Sequence, residues 1–422
     1  MRIPVNDLIM NKIISIGLAV FCCLPLLGCK QTLPEDLPEF PKPTEQIDRV
    51  PLTRAEEGFV KAGNQFAWTL TRKVWKQNED GKSLILSPLS VQYALGMLGN
   101  GADETVAKQL AAVLGYEGVD AINAYCKKLM TNLPMVDTTV TLALANGVLA
   151  NDRYALKAPF KSAVEGSYDA LVKSMSFQDP VAVVKYVNDW CNQHSYGRIP
   201  EVIKDVDPSA FAFLMNAIYF NGRWIKPFEK SLTQKEDFKT LSGSRVKVSM
   251  MHQHLTSTYD YSENDVCQAL RLPYGNGRFC LNVYLPKAKD GLSALLENPT
   301  QKLSSKLCHV NLSLPAFRTD YDVDMKDLLA GMGLPLHPYN EIADLPAGAF
   351  GEISRVIHKA NITVDETGSE AAAVTVIEMK VGAALPPQET PTIDFTADHP
   401  FLYTITEATS GVILFTGVFT GK

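Results

Sequence analysis

The sequence predicts one large α+β domain, and three observations support this. Apolar residues recur at helical spacing between 56 and 116, strand-like runs dominate beyond Thr138, and neither an internal repeat nor a long Gly- or Pro-rich linker divides the chain after Arg54. The chain has 422 residues, of which 46% are hydrophobic and 20% charged, so it is long enough to bury a substantial core. We therefore expect a globular protein.

The N-terminal segment resembles a bacterial lipoprotein signal peptide. The apolar run 13–27 is too short for a stable membrane-spanning helix and is typical of a secretory signal. It ends in Leu26-Leu27-Gly28-Cys29, which is similar to the bacterial lipobox. This resemblance implies that residues 1–28 are removed and that the cysteine carries a lipid. Met1 and Met10 are both kept as candidate starts.

Residues 29–54 predict a lipid-anchored tether ahead of the folded domain. After Cys29 the segment has prolines spaced among acidic residues, which favours an extended chain: Pro34, Pro38, Pro41, Pro43 and Pro51. We therefore expect the domain to span 55–422. Lys30 is not the aspartate linked to inner-membrane retention, so we expect lipid anchoring to the bacterial outer membrane, at its surface or its periplasmic face.

Charge and cysteine content exclude several functions. The formal net charge of -6 arises from acidic and basic residues mixed along the chain, so no basic stripe predicts nucleic-acid binding. Cys22 and Cys23 belong to the predicted signal peptide. The thiols of the domain are odd in number, scattered and without a CxxC pair, which predicts buried free cysteines and no disulfide or metal site: Cys126, Cys191, Cys267, Cys280 and Cys308.

The predicted elements follow the periodicity of the apolar residues. Helical spacing joins one group of residues and then a second group that follows the start signal Ser87-Pro88: Phe59, Phe66, Leu70 and Trp75, then Val91, Leu95 and Leu98. Strand-like runs extend from Val140 to Leu149, Ala212 to Phe220, Ala269 to Leu272, Cys280 to Leu285 and Val310 to Leu314. Helices are thus expected to dominate the first third of the domain, and strands the rest.

Motifs for catalysis or metal binding are absent or weak. The sequence has no GxSxG nucleophile elbow, no HExxH, no Gly-rich phosphate loop and no dinucleotide fingerprint. His252 and His254 lack a third ligand nearby in sequence, so an inert surface pair is expected rather than a metal site. His358 lies in an apolar strand-like run, where a hydrogen-bonded core histidine is expected rather than a general base. We expect neither a metal nor a cofactor.

The segment from Gly368 to Pro387 has the pattern of an unusually long strand. In an extended chain its small and β-prone residues share one face, with Glu370 and Glu378 on the other: Ser369, Ala371, Ala373, Thr375, Ile377 and Met379. Up to Leu385 the segment would reach on the order of 55 Å at roughly 3.3 Å per residue, far beyond an ordinary strand. Small residues at its leading end would let it insert between two existing strands.

Several blocks of sequence resemble those of the serpin family and occur in serpin order. They are SPLSVQYALGMLGNGADET, NAIYFNGRW, KPFEKSLTQKEDF, VSMM ahead of LPYGNGRF, VIHKANITVDETGSEAAAVT, and FTADHPFLYTI with GVILFTG. The resemblance covers Glu56 to Gly421. It implies a single serpin-like domain in which helices pack around three β-sheets, with a long mobile reactive-centre loop at about 368–387.

The resemblance implies an inhibitor of endopeptidases rather than an enzyme. An inhibitory serpin is a suicide substrate: the target protease cleaves the loop, which inserts into the central sheet while the acyl-enzyme is still attached, and serpins are themselves a standard example of such strand addition. Small residues at the inward positions favour this function over a non-inhibitory serpin that acts as a binding module. A different binding lipoprotein, or a hydrolase, would not explain the long strand-like segment.

The resemblance also assigns roles to individual residues. It places the hinge of the loop at Glu366, Gly368, Ser369, Glu370, Ala371, Ala372, Ala373 and Thr375. It places a polar shutter beneath the opening of the sheet at Ser87, Ser90, Asn216 and His358, where the two serines also suit helix capping. Trp224 matches the aromatic residue at the point of first loop insertion, and a core tryptophan is the alternative there.

Two counts along the loop give different reactive bonds. Counting sixteen residues onward from Glu366 implies cleavage at Gly382-Ala383, whereas counting back from Phe395 moves the bond toward Leu385-Pro386. We prefer the first count and keep as alternatives Met379, Lys380, Val381, Ala384 and Leu385. The small apolar residues there predict serine proteases with shallow apolar pockets as partners, with papain-like cysteine proteases as a second class. We expect a monomer with no nucleic-acid partner.

Overall fold

The helices of the computed structural model begin where capping residues occur in the sequence. The structure describes residues 43, 45–254, 258–299, 304–369 and 390–422. Within these ranges the α-helices are α1 (Arg54–Gln77), α2 (Pro88–Gly99), α3 (Glu104–Leu114), α4 (Val119–Asn132), α5 (Ala158–Tyr168), α6 (Pro180–His194), α7 (Leu292–Glu297) and α8 (Lys326–Ala330). Thr53 and Glu56 form a reciprocal capping box on α1, and Ser87 and Asp103 cap α2 and α3.

The strands are concentrated after residue 140, as the apolar runs predict. In the described ranges they are β1 (Leu84–Leu86), β2 (Thr141–Asn151), β3 (Leu171–Met175), β4 (Ala212–Arg223), β5 (Gln234–Lys239), β6 (Arg245–Gln253), β7 (Thr258–Glu263), β8 (Cys267–Tyr274), β9 (Phe279–Pro286), β10 (Lys306–Asp324), β11 (Ile357–Val364), β12 (Gly368–Ser369), β13 (Thr392–Thr396), β14 (Phe401–Glu407) and β15 (Ile413–Phe419). The predicted helical segment 56–116 contains one strand, β1, because three residues are too few to show a period.

The central sheet runs in the order β10, β11, β12, β4, β2, β3. β4 and β2 pair antiparallel along most of their length, and β3 adds to β2 in parallel. On the other side, β11 pairs antiparallel with residues 317–324 of β10. The two-residue strand β12 lies between β11 and β4. The middle of this sheet is therefore occupied by the beginning of the predicted hinge.

The long strand β10 joins the strands into one network. It is 19 residues long, and residues 306–309 pair with β7, 312–316 with β6 and 317–324 with β11. The strands of the described ranges therefore connect into one branched network of 15 strands, whereas the resemblance implied three separate sheets. The predicted fold class, one α+β domain with helices packed around β-structure, is confirmed.

Two apolar clusters cover the two faces of the central sheet. The larger cluster joins α1 to α4 with the strands β9, β14 and β15. The smaller cluster packs Val183, Val187 and Trp190 of α6 against Leu149 of β2 and Met215 of β4. Residues in β11 alternate between half-buried and buried, as in a strand with one face in the core, whereas every residue of β15 is buried.

The packed part of the chain begins before the predicted domain boundary at Ala55. Val50 is only 3% exposed, and the backbone N–H of Ile47 donates a hydrogen bond to the carbonyl of Met135 at 3.0 Å. These contacts correct the prediction that the whole of 29–54 is an extended tether. Apolar side chains near the end of this segment can pack into the core, and the prolines do not prevent an irregular segment from packing.

The cysteines of the domain are free and buried, as predicted. Burial raises the pKa of the Cys191 and Cys280 thiols to about 12, so both are protonated at neutral pH. In the described ranges, no helix has the combination of length and hydropathy that a membrane-spanning segment needs.

Candidate functional site

The candidate site is the gap between β4 and β11, which β12 begins to fill. Ser369 pairs with Val364 of β11, and Gly368 and Ser369 pair with Arg223 and Gly222 of β4, antiparallel in both ladders. Among the described residues, no ladder joins β4 directly to β11. We call this gap, between residues 216–223 of β4 and 358–364 of β11, the insertion slot.

A narrow cavity of about 30 Å³ lies in the insertion slot. Both strands line it, with α6 and the turn after it on one side and the larger core on the other: Ile218, Tyr219, Phe220, Asn361, Ile362, Thr363, Arg198, Ile199, Ile405 and Phe415. Ser369, at the end of β12, lines the same cavity. The slot therefore crosses the sheet from one face to the other, and Ser369 of the hinge lies at one end of it.

The turn that leads from β11 into β12 is held by the segment that follows β4. Trp224 donates two hydrogen bonds, from its indole Nε1–H to the carbonyl of Asp365 at 2.8 Å and from its backbone N–H to the carbonyl of Thr367 at 3.0 Å. Glu366 accepts two more, from the Phe228 N–H to its carbonyl at 2.8 Å and from the Thr233 hydroxyl to its Oε1 at 2.7 Å. Trp224 is buried, with both its indole and its backbone N–H in use. Trp224, the aromatic residue predicted at the point of first loop insertion, thus forms direct hydrogen bonds to the hinge turn.

Glycine is the one residue type that fits at position 368. A Cβ there would lie 2.2 Å from the carbonyl oxygen of Gly222 and 2.7 Å from Arg223 Cα, both of them backbone atoms. Backbone cannot move aside as a flexible side chain can, so a side chain at this position would push β12 away from β4. The absence of a Cβ at Gly368 is therefore what allows the hinge to lie against β4.

Ser369 is the first hinge residue whose side chain is fully inside the sheet. It is 2% exposed, and its Oγ lies 2.6 Å from Tyr274 Oη, at the end of β8. The ring of Tyr274 stacks on Trp224 at 4.4 Å, with 14° between the planes. Burial raises the pKa of Tyr274 far above its usual value, so its phenol stays neutral and can donate or accept in the pair.

The shutter prediction brings together residues that do lie close in space. The backbone N–H of Ser87 donates to His358 Nε2 at 3.1 Å, and Ser87 Oγ donates to the carbonyl of Leu414 at 3.0 Å. His358 is buried, and this desolvation lowers its pKa to about 4. It is therefore neutral, with its proton on Nδ1, and it accepts the Ser87 N–H through Nε2. A hydrogen-bonded core histidine is what its apolar surroundings predicted.

The other strand of the slot contacts the same helix terminus. Ser90 Oγ donates a hydrogen bond to Asn216 Oδ1 of β4, and Asn216 Nδ2 donates to Asn146 Oδ1 of β2 at 2.7 Å. Asn146 in turn donates to the carbonyl of Tyr168 at 2.8 Å. His358 belongs to β11 and Asn216 to β4, so the first turn of α2 bridges the two strands that border the insertion slot.

The structure leaves several predicted residues without a structural account. Part of the hinge and all reactive-bond candidates lie outside the described residues: Glu370, Ala371, Ala372, Ala373, Thr375, Met379, Lys380, Val381, Gly382, Ala383, Ala384 and Leu385. Cys29 and the segment 1–42 also lie outside them. The roles assigned to these residues stay predictions.

The histidine pair in β6 and after it is engaged in protein contacts. His252 Nε2 lies 2.8 Å from Glu236 Oε1, and its Nδ1 lies 3.0 Å from Ser313 Oγ. The ring of His254 stacks at 6.2 Å on that of His252. In the part of the chain that the structure describes, no group of three His, Cys, Asp or Glu side chains could hold a metal ion.

Sequence reasoning assigned no role to Tyr274, Asn146 or Thr233, although each contacts a predicted site residue. Tyr274 lies in the block LPYGNGRF, which carried the resemblance as a whole. Its hydroxyl faces Ser369, 95 residues further along the chain, because the end of β8 lies beside Trp224, which directly follows β4. Such contacts between distant segments leave no local pattern in the sequence.

Comparison with known proteins agrees with the geometry. The family described as Serpin (serine protease inhibitor) matches residues 61–421. The chain is 32% identical to Serpin-Z2B of Triticum aestivum over 383 residues, which is 84% of this chain and 94% of that protein. It is 33% identical to Serpin-Z10 of Arabidopsis thaliana over 384 residues, 85% of this chain and 96% of that protein.

Solved structures show the same fold. The native stressed conformation of Arabidopsis AtSerpin1 superposes with a TM-score of 0.74 at 28% identity, covering 86% of this chain and 98% of that one. Native Tengpin, a thermophilic serpin, gives a TM-score of 0.74 at 23% identity, covering 90% and 97% of the two chains. With β12 held between β4 and β11, and a family match that spans nearly the whole domain, this chain belongs to the serpin family.

Proposed function

We propose that this serpin inhibits endopeptidases by inserting its cleaved loop into the slot between β4 and β11. Serpins are in general protease inhibitors rather than enzymes, which is consistent with the family match. The observation that carries the proposal is β12: Gly368 and Ser369 are paired with both neighbouring strands, antiparallel to each. A strand that has begun to enter can continue only by lengthening along the slot.

The chemistry of trapping needs no catalytic group from the serpin. The nucleophile of the protease attacks a loop carbonyl, the peptide C–N bond breaks, the new amine leaves with a proton, and an acyl bond joins the loop to the enzyme. Water would normally hydrolyse that bond. If the freed hinge enters the slot first, the attached protease is carried away from its starting position and its active site is distorted. The inhibitor therefore depends on the rate of strand insertion.

The side-chain pattern of the hinge supports rapid insertion. Ser369 is buried in the sheet, and in an extended strand Ala371, Ala373 and Thr375 lie on the same face as Ser369. These residues are small and uncharged, so little overpacking or desolvation opposes their burial. The same pattern disfavours a serpin that acts only as a binding module, for which rapid insertion has no use.

The loop composition supports serine proteases with shallow apolar pockets as the targets. Val381, Gly382, Ala383 and Ala384 surround the preferred bond Gly382-Ala383 and are all small. Papain-like cysteine proteases form an equivalent acyl intermediate and are the second target class. A lysine at position 380 would be the only point of attack for trypsin-like enzymes in this stretch.

The experiment is to mix the protein with elastase-like, subtilisin-like and papain-like proteases and examine the products on denaturing gels and by mass spectrometry. We expect a denaturant-resistant complex at the summed mass, and a released peptide whose N-terminus identifies the bond. Cleavage within 379–386, with no denaturant-resistant complex formed by any of these proteases, would overturn the inhibitory function.

A matched pair of variants separates insertion from mere cleavage. In an extended strand Ala371 points inward and Ala372 outward, so Ala371→Arg should block insertion and convert the inhibitor into a substrate, whereas Ala372→Arg should still form the complex. Equal behaviour of the two variants would contradict insertion of this segment as a strand.

We also propose that the chain is a lipoprotein anchored through Cys29 to the bacterial outer membrane. Support comes from the sequence Leu26-Leu27-Gly28-Cys29 after the apolar run 13–27. In a bacterial host fed a radiolabelled fatty acid, the wild-type protein should incorporate label in the membrane fraction, while Cys29→Ser should not. Cys23→Ser, six residues earlier, is the matched control and should retain the label.

A further inference from the structure

Asp137 joins two surface segments at the end of the central sheet where the hinge enters. It follows the short 3-10 turn Leu133–Met135 and its side chain is fully buried. Its Oδ1 accepts hydrogen bonds from Thr139 N–H at 2.9 Å and from the Thr139 hydroxyl at 2.6 Å. Its Oδ2 accepts from the backbone N–H of Asn276 at 2.7 Å. One buried carboxylate therefore fastens the turn between β8 and β9 to the segment 136–139.

The turn between β8 and β9 is seated without spare room. A Cβ on Gly275 would lie 2.2 Å from Asp137 Oδ2, and Gly275 has a φ of +52°, which also favours glycine. Asn276 Nδ2 donates to the carbonyl of Val136 at 3.1 Å, which gives the two segments a second connection. On its other side, the turn donates from Gly275 N–H to the carbonyl of Arg223 at 2.8 Å. The turn is thus fixed between Asp137 and the end of β4.

The fixed turn carries the groups that hold the hinge. Tyr274 immediately precedes Gly275, stacks on Trp224 and shares a hydrogen bond with Ser369. Trp224 and Tyr274 also form an isolated β-bridge. A path of direct contacts therefore runs from the Asp137 carboxylate through the turn to Tyr274 and on to the hinge.

We propose that Asp137 is a positioning residue that slows insertion of a strand into the slot. By fixing the β8–β9 turn, it keeps Tyr274 and Trp224 in place and so slows the parting of β4 and β11 at this end of the slot. The inference rests on the proposed function, because it concerns the rate of the same insertion. Asp137 touches neither the loop nor a protease, so it acts through the turn.

The N-terminal segment contacts the same two elements. Besides the bond from Ile47 to Met135, Thr138 Oγ1 donates to Gln46 Oε1 at 3.3 Å, and Asp48 Oδ1 lies 3.6 Å from a guanidinium nitrogen of Arg278, the last residue of the turn. Residues 46–48 thus contact both the segment that Asp137 anchors and the turn between β8 and β9. Their contacts add to the same restraint.

The test measures uptake of a free strand by the full-length protein. An acetylated peptide with the sequence of residues 369–380 is incubated with the protein, and the fraction that carries the peptide is followed by native mass spectrometry. Asp137→Ala should take up the peptide about tenfold faster than wild type, the effect on a barrier of losing roughly one hydrogen bond, with Asp137→Asn intermediate. Amide exchange at Asn276 reports directly whether the turn has loosened.

A second variant covers the case in which removal of a buried carboxylate prevents folding. Asn276 is exposed, and Asn276→Ala keeps the buried carboxylate of Asp137 while it removes two side-chain bonds of the turn, the one donated to the carbonyl of Val136 and the one accepted from the Arg278 N–H. This variant should therefore fold and take up the peptide faster than wild type. Thr71→Val is the control for general loss of stability, since it removes a buried hydroxyl pair with Thr416 that lies between α1 and β15. Asp207→Asn is the control for the turn type, because Asp207 accepts from Ser209 in the same way at an exposed site.

The outcomes are distinct. Faster uptake in the Asp137 and Asn276 variants, with uptake by Thr71→Val and Asp207→Asn close to wild type, supports the inference. If the wild type takes up the peptide but the Asp137 and Asn276 variants match it or match Thr71→Val, the inference is overturned and the proposed function stands. If neither the wild type nor the Asp137 and Asn276 variants take up the peptide, the inference is overturned, and the proposed function is decided separately by the complex with a protease.

Discussion

The hydroxyl groups of Ser369 and Tyr274 lie 2.6 Å apart, and both side chains are buried. A serine hydroxyl moved from water into a sheet without a partner would be strongly unfavourable, and Tyr274 provides that partner. Because Tyr274 also stacks on Trp224, the partner is already in place when the hinge arrives. The first side chain to enter the slot therefore meets a prepared polar site.

Tyr274→Phe should weaken the attachment of the hinge. The substitution leaves the buried Ser369 hydroxyl without its partner, and we expect the free energy of unfolding to fall by about 1–2 kcal/mol. Amide exchange at Gly368 and Ser369 should become faster as β12 detaches. Urea unfolding followed by hydrogen exchange with mass spectrometry measures both effects.

Tyr93→Phe is the matched control for that substitution. Tyr93 is equally buried, but its hydroxyl has no hydrogen-bond partner among the described residues. Removing a hydroxyl that has no partner removes a desolvation penalty, so the free energy of unfolding should stay the same or rise slightly. Equal losses in the two variants would show that the Ser369 pair contributes nothing specific.

The fold could be predicted from local patterns, except where several segments combine. The run 212–220 predicted a strand that the structure extends to Arg223, and Ser87-Pro88 predicted the start of α2. The continuous path of strands could not be predicted, because it depends on β10, whose three parts pair with different partners. No period in a sequence shows which strand a residue will face.

In the candidate site, too, residues with local sequence signals could be predicted, whereas contacts between distant segments could not. His358 could be expected to be a neutral core histidine because its neighbours are apolar, and its pKa of about 4 agrees with that. Tyr274 and Asp137 could not be found, because their partners lie on segments far away in the chain. Val50 contradicts the predicted tether for a related reason: composition describes a segment's average, while burial is decided residue by residue.

Gly368→Ala should obstruct the insertion of the hinge. The added Cβ would meet backbone atoms of Gly222 and Arg223, which cannot move without disturbing β4. We expect more inhibitor to be cleaved per protease trapped, by roughly fivefold if the added barrier is about 1 kcal/mol. The measurement is a titration of inhibition against a fixed amount of protease, with the cleaved fraction read on a gel.

Gly118→Ala is the control for the loss of a glycine. A Cβ at Gly118 has nothing within 4 Å, and its φ of -178° is accessible to any residue. The number of inhibitor molecules consumed per protease should match wild type. A hinge variant that behaves like this control would contradict the steric argument at Gly368.

Asn216→Ala should destabilise the strand β4 where it meets α2. Asn216 accepts from Ser90 and donates to Asn146, so its removal leaves two polar side chains without that partner. We expect the free energy of unfolding to fall by about 1–3 kcal/mol. Asn221→Ala, further along β4, should lose less than half of that, because among the described residues its side chain bonds only to the hydroxyl of Tyr219. Urea unfolding of both variants decides, and equal losses would remove Asn216 from any special role.

The stability of the native state should fall as the pH drops from about 6.5 to about 4, in part because of His358. Its folded pKa is lowered to about 4 by burial, whereas the unfolded chain has the ordinary value of 6.5. Between these values the unfolded state binds more protons, so the free energy of unfolding rises with pH, and the neutral side chain's contribution is lost on acidification. A shift of this size corresponds to about 3 kcal/mol. Protonation would also end the acceptor role of Nε2 toward Ser87, which holds β11 to α2.

His358→Gln isolates this contribution from the carboxylates that titrate in the same range. A glutamine oxygen can accept from the Ser87 N–H without titrating, so the variant should lose less stability than wild type between pH 6.5 and 4. His254→Gln is the control, because His254 is exposed, and its profile should follow wild type. The measurement is the urea midpoint at each pH for the three proteins. Parallel curves for wild type and His358→Gln would show that His358 is not the group responsible for the loss of stability.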